Sequence, residues 1–139
     1  MREFKGAKGA VITGGKAVMI LREDIPSIAY PGMWDFPGGG REGSETPIQC
    51  FLREVKEELG LSLDASCIVW QRTYPALDNP TLDSYFMVAI IPEELIEKIR
   101  FGDEGERWEL MSFAEILSNQ KVVPNKKVRF QDYLKSLPD

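Results

Sequence analysis

GGREGSETPIQCFLREVKEELGL, residues 39–61, passes from a glycine-rich loop into a stretch with helical periodicity. Thr46 is a good N-cap, and Pro47 is preset for the first helical position. Gln49, three residues after Thr46, completes a capping box, in which each side chain satisfies the other residue's backbone N–H. Ile48, Phe51, Leu52, Val55 and Leu59 then recur at helical spacing, which predicts one stripe facing a core, and Gly60 supplies the stop.

Off that stripe, Glu54, Glu57 and Glu58 stand at i, i+3 and i+4, so their carboxylates share one helical face. Three like charges this close weaken a bare helix, and a hard divalent cation, which prefers oxygen ligands, relieves the repulsion. Arg53 is one turn from Glu57 and can also hold a neighbouring carboxylate in a fixed orientation. Glu45 adds an acid at the positive end of the helix. Alternating Lys, Arg and Glu more often make a solvated helix face, so REVKEE alone does not define a site.

The spacing of the whole stretch carries more weight. Gly39, Glu45 after five intervening residues, Arg53 and Glu54 after seven more, then Glu57, Glu58 and Gly60 before an aliphatic residue, are similar to the Nudix box at every defined position. The chain thus resembles the Nudix (MutT-like) hydrolase family, over most of its length. The resemblance implies an α/β fold, a Nudix-type α/β/α sandwich with a mixed β-sheet. It implies hydrolysis of a phosphoanhydride bond in a nucleoside diphosphate linked to another moiety, with Mg2+ or Mn2+ as cofactor. Residue by residue, it implies metal ligation by Glu54, Glu57, Glu58 and the carbonyl of Gly38, with Arg53 orienting the glutamates and Glu45 supporting the site.

Composition sets the surrounding limits. With 139 residues and 43% hydrophobic content, the chain suits one domain, expected over 1–139, and no apolar run approaches membrane-spanning length. Residues 1–22 lack a signal-peptide pattern, which predicts a cytoplasmic protein without a membrane partner. Cys50 and Cys67 are expected to be reduced core residues. A net charge of -5 argues against a nucleic acid polymer as partner, whereas a small anionic nucleotide can be met by local cations. The chain has no histidine, which excludes imidazole bases and histidine-ligated zinc and leaves carboxylates as acid and base groups. Oligomeric state is left open, a homodimer included.

Along the chain, Lys8 to Thr13 and Lys16 to Arg22 flank Gly14-Gly15 and predict a tight hairpin. Arg22, at the end of the second strand, is a candidate phosphate clamp or an ordinary salt-bridge partner. Residues 23–32 read as a loop whose Ile28 and Tyr30 line a pocket or anchor the loop; Trp34 and Phe36 are expected in the core. Gly38, Gly39 and Gly40 allow close approach of backbone to a ligand, which makes Gly39 and Gly40 candidate substrate contacts. Arg41 is a further candidate for phosphate.

After the helix, Cys67 to Tyr74 and Leu82 to Ile91 read as strands, with a turn-rich loop between them, and Pro92 to Ile99 as a short helix. Asp103, Glu104 and Glu106 form an acidic loop before Trp108. By resemblance one glutamate there completes the metal site or acts as base, Glu104 matching best and Glu106 competing. Ser112 and Glu115 cap a following helix, and Pro124 opens a last one whose Val128, Phe130, Tyr133, Leu134 and Leu137 are expected to cover the sheet. The loops at 23–32, 75–81 and 101–108 are expected to read the substrate. A nucleoside triphosphate, ordinary or oxidised, is the favoured one, with ADP-ribose, nucleotide sugars, dinucleoside polyphosphates and a non-catalytic nucleotide sensor as alternatives.

Overall fold

The computed structural model of the protein describes residues 3–138. Strand β1 (Phe4–Thr13) turns into β2 (Lys16–Leu21) through Gly14 and Gly15, whose φ of 55° and 75° suit the left-handed hairpin turn that only glycine adopts cheaply. β1 is central. Its far end pairs antiparallel with β2, its near end antiparallel with β4 (Gly38–Gly40), and its whole length runs parallel to β6 (Asp83–Ile90). β6 pairs antiparallel with β5 (Ile68–Pro75), while β2 also carries β3 (Trp34–Asp35) and β7 (Arg107–Ser112). The result is the expected mixed sheet, with seven strands among the described residues.

Helix α1 (Pro47–Leu59) has the predicted capping box at Thr46 and Gln49 and ends at Gly60, φ 67°. It buries Cys50, Phe51, Val55 and Leu59 against Phe4, Ala7, Val11, Val18 and Ile20 on one sheet face. Each such aliphatic or aromatic side chain contributes about 1.5–3 kcal/mol on leaving water. The other face, with Ala10, Ile12, Met19, Phe36 and Phe86, is covered by Ile116 of α2 (Phe113–Ser118) and by Phe130 and Tyr133 of α3 (Pro124–Ser136). Layers of helix, sheet and helix follow from that division. No helix among the described residues is long and apolar enough to cross a membrane.

Several elements differ from expectation. β1 starts four residues before the predicted Lys8, because Gly6 and Ala7 pair with β4 and β6, partners remote in sequence. Cys67 lies in a 3-10 turn, Ala65–Cys67, just ahead of β5. The loop expected over 101–108 ends earlier than Trp108, because β7 begins at Arg107 and is held by six pairings to β2 rather than by its own charged composition. On α3, Val128 and Leu137 are exposed, whereas Arg129 is buried beside Phe130 and Tyr133.

Candidate active site

Helix α1 presents its acids above β4. Arg53 is their hub: Nε donates to Glu45 Oε2 at 2.6 Å, Nη1 to Glu54 Oε1 at 2.6 Å and Glu57 Oε2 at 2.8 Å, and Nη2 to the Gly40 carbonyl at 2.7 Å. The same Nη1 lies 3.3 Å from Glu42 Oε2. Glu42 had no sequence signal, since it occupies a variable place between Gly39 and Glu45. Carboxylate oxygens of Glu42, Glu54 and Glu57 nevertheless lie within 4.8 Å of one another. The Arg53 hydrogen bond keeps the Glu45 carboxyl below its ordinary pKa, whereas burial pushes Glu54 up against the pull of Arg53, helped by the charges of Glu57 and Glu104.

Glu58 points elsewhere. Its Oε1 accepts the N–H of Gly38 at 2.8 Å, and it lines a cavity of about 310 Å³ together with Glu104, Asp35, Lys8, Arg22, Glu23 and Ile28. Burial pushes the Glu58 carboxyl up to about 7, against Lys8 and the Gly38 N–H, which favour its ionised form. Glu104 and Glu106 are both exposed, but Glu104 stands on the cavity wall with Glu58, whereas Glu106 lines neither cavity and its backbone N–H is tied to the Leu21 carbonyl at 2.9 Å. The acidic loop is fastened to the end of α1: Gly102 N–H donates to the Glu58 carbonyl at 2.9 Å, and Arg100 N–H to that of Leu59 at 2.8 Å.

Arg22 donates from Nε to the Ala29 carbonyl at 2.8 Å and approaches Asp35 Oδ2 at 3.4 Å, so its guanidinium closes a salt bridge at the cavity wall. Arg41 is turned away: it lies 4.5 Å over the Phe4 ring, pairs with Glu3 at 2.7 Å, holds the Glu45 carbonyl at 2.9 Å, and lines neither cavity. Tyr30 is exposed with φ 51°, while Ile28 lines the cavity.

A second cavity, about 360 Å³, meets the first at Lys8. Gly39 and Gly40 form part of its wall, with Ala76, Leu77 and Asp78 from the loop after β5 and Asn125, Lys126 and Arg129 from α3. Both amide atoms of Asn125 are buried without a hydrogen-bond partner among the described residues. Sequence reasoning passed over Asn125, although Asn125, Arg129 and Tyr133, spaced four apart on one helix, form a stripe that turns polar groups inward.

The clustered donors of Glu42, Glu54 and Glu57 are all oxygens, the chemistry of a hard divalent cation, and the loop acid Glu104 shares a cavity wall with Glu58. A site of this make-up suits a metal-dependent hydrolase. The NUDIX domain matches residues 4–133, and the chain belongs to the Nudix family, whose hydrolases generally need divalent metals and act on small nucleotide substrates. An 8-oxo-dGTP diphosphatase of Proteus vulgaris is 37% identical over 92 residues, which cover 66% of this chain and 81% of that protein. An RNA pyrophosphohydrolase of Erythrobacter litoralis is 25% identical over 139 residues, covering 98% and 77%. The fold superposes at a TM-score of 0.75 and 19% identity on a bifunctional NMN adenylyltransferase/ADP ribose pyrophosphatase of Francisella tularensis, solved with AMP and a manganese ion. That match covers 97% of this chain but only 42% of the bifunctional one. The protein is a pyrophosphohydrolase of the Nudix type.

Proposed function

We propose that this pyrophosphohydrolase cleaves a phosphoanhydride bond of a free nucleoside triphosphate, as a cytoplasmic, one-domain enzyme using Mg2+ or Mn2+. The reading rests on the two cavities that meet at Lys8, one faced by Glu58 and Glu104, the other holding the unpaired amide of Asn125. A substrate with a polyphosphate at one end and a heterocycle at the other fits that division. A primary amide offers a donor and an acceptor side by side, the pattern that reads a nucleobase edge.

Glu54, Glu57, Glu58 and the Gly38 carbonyl would hold the cation, and Glu42 is close enough to Glu54 and Glu57 to join them. When bound, a divalent cation neutralises phosphate oxygens and makes a water more acidic. Arg53 fixes the orientation of Glu54 and Glu57, and Glu45 fixes Arg53 in turn. Glu104 accepts the proton of the attacking water, a positioned general base contributing about a hundred to ten thousandfold in rate. Arg22 offers its outer guanidinium edge to a phosphate, and the Gly39 and Gly40 backbone allows close approach.

Release of phosphate, pyrophosphate or nucleoside monophosphate is measured across ordinary and oxidised nucleoside triphosphates, ADP-ribose, nucleotide sugars, dinucleoside polyphosphates and a 5′-triphosphorylated RNA. Turnover confined to nucleoside triphosphates is expected. Glu58→Gln is expected to keep the fold and lose activity by orders of magnitude, and Asn125→Leu to raise KM for the preferred base with a smaller effect on kcat. Preference for the RNA or for ADP-ribose would overturn the substrate reading, and near-normal turnover by Glu58→Gln would remove that residue from the chemistry.

A further inference from the structure

Asp35 is 4% exposed, yet it is charged: burial opposes ionisation, and Lys8 and then Lys126 outweigh it and hold the carboxyl below its ordinary pKa. Lys8 Nζ lies 2.9 Å from Asp35 Oδ2, 3.3 Å from the Gly38 carbonyl and 3.5 Å from that of Phe36. Those contacts fix its ammonium at the junction of the two cavities. Arg22 shares the same Asp35 oxygen at 3.4 Å.

On the α3 side, positive charge exceeds its partners. Four basic residues and one acid line the second cavity. Lys5 pairs with Asp78 and Lys8 with Asp35. Arg129 reaches Ser84 Oγ at 3.0 Å and the Pro75 carbonyl at 3.4 Å, both uncharged, and Lys126 has no carboxylate within ion-pair distance among the described residues. Burial lowers the Lys126 pKa to about 8 against the attraction of the more distant Asp35 carboxylate, and repulsion from Lys8, Arg129 and Arg22 adds to the fall. In a chain of net charge -5, this is a local concentration of cations without enough anions. Sequence position gives no hint of it, since Lys8 comes from β1 and Lys126 from α3.

We infer that Lys8 and Lys126 form an anion subsite at the seam of the two cavities, taking the phosphate that joins the nucleoside to the rest of the substrate. The assignment rests on the nucleoside triphosphate reading for the identity of that phosphate, though not for the existence of the anion site. A phosphate there would bring negative charge to Lys126 and leave the outer phosphates toward Glu58 and Glu104. The cations bind, while the carboxylate helix carries the chemistry.

The test uses tripolyphosphate as probe, in solution containing a chelator, with affinity measured by calorimetry. Wild type is expected to bind it, and Lys8→Met and Lys126→Met are each expected to weaken binding by about tenfold or more, the usual effect of losing one charged hydrogen-bond partner. Lys135→Met, which removes the same charge from the exposed end of α3, is expected to leave affinity within about twofold. Lys126→Gln guards against a defect specific to methionine, and thermal unfolding of each variant confirms the fold. Equal affinity in wild type and the Lys8 and Lys126 variants, or equal losses in Lys135→Met, would overturn the subsite. The turnover panel is a separate readout: binding through Lys8 and Lys126 without nucleoside triphosphate hydrolysis keeps the anion site and discards the substrate reading, and the converse result does the opposite.

Discussion

A Cβ at Gly39 would lie 2.5 Å from Glu54 Oε2 and 2.8 Å from its Cδ, so Gly39→Ala has to push a carboxylate aside. The displaced atoms belong to the end of a flexible side chain, which can move at little energetic cost. Gly39→Ala is therefore expected to retain its thermal midpoint within a few degrees while losing about ten to a hundredfold in activity, the range found when support around a metal ligand is disturbed. Unchanged kcat with that substitution would show that the Glu54 position tolerates displacement. Gly38→Ala differs, because its Cβ would meet the Ala7 carbonyl at 2.3 Å, with φ at 130°, and backbone must give way. At this scale the spacing from Gly39 to Gly60 made Glu54, Glu57, Glu58 and Arg53 legible. Asn125 and Lys8 were not, because their meaning comes from strands and helices that meet only in three dimensions.

Helix α3 shows how an element can be right in extent and only partly right in face: Phe130, Tyr133 and Leu134 pack on the sheet as expected, while Val128 and Leu137 are exposed. Its predicted start at Pro124 holds, but its inward residues include Asn125, Lys126 and Arg129, so an apolar pattern could not orient it. A half-buried ammonium in such a face opposes folding. The Lys126 pKa is about 8 in the folded protein and about 10.4 in an open chain, so at pH 7 both states carry the proton and the folded one bears the full cost. Between those two values the unfolded state binds more protons than the native one, and stability rises with pH. Lys126→Met is expected to be more stable than wild type at pH 7, by about 1–2 kcal/mol after allowance for its partial exposure, with the gap closing as pH rises from about 8 to about 10.4. A variant less stable than wild type at pH 7 would show that the ammonium is better compensated than its surroundings indicate. α1 was readable in both extent and face because its caps, apolar stripe and acids agree, whereas β7 was missed because its strand character depends on β2.

For the molecule as a whole, a carboxylate-rich site that takes up a cation would couple its binding to folding. A ligand held only by the native state stabilises it by about 2.7 kcal/mol at a hundredfold excess over its dissociation constant. Adding Mg2+ or Mn2+ is expected to raise the thermal midpoint of wild type in a concentration-dependent way and that of Glu58→Gln much less, read by differential scanning calorimetry. Equal rises would place cation binding away from Glu58. The α/β/α layering and mixed sheet were legible from the box resemblance, but the division of the cleft into an acidic and a basic cavity was not, since it depends on where β1, the loop after β5 and α3 converge. Cys50 gives this assembly a built-in reporter. Its thiol is fully buried under α1, donates to the Gly39 carbonyl at 3.5 Å, and is pushed up to about 11 by burial. Any alkylating reagent must wait until α1 lifts from β4, so the rate of Cys50 labelling is a clock for how often the cradle comes apart, and ligands that hold the helix down should slow it.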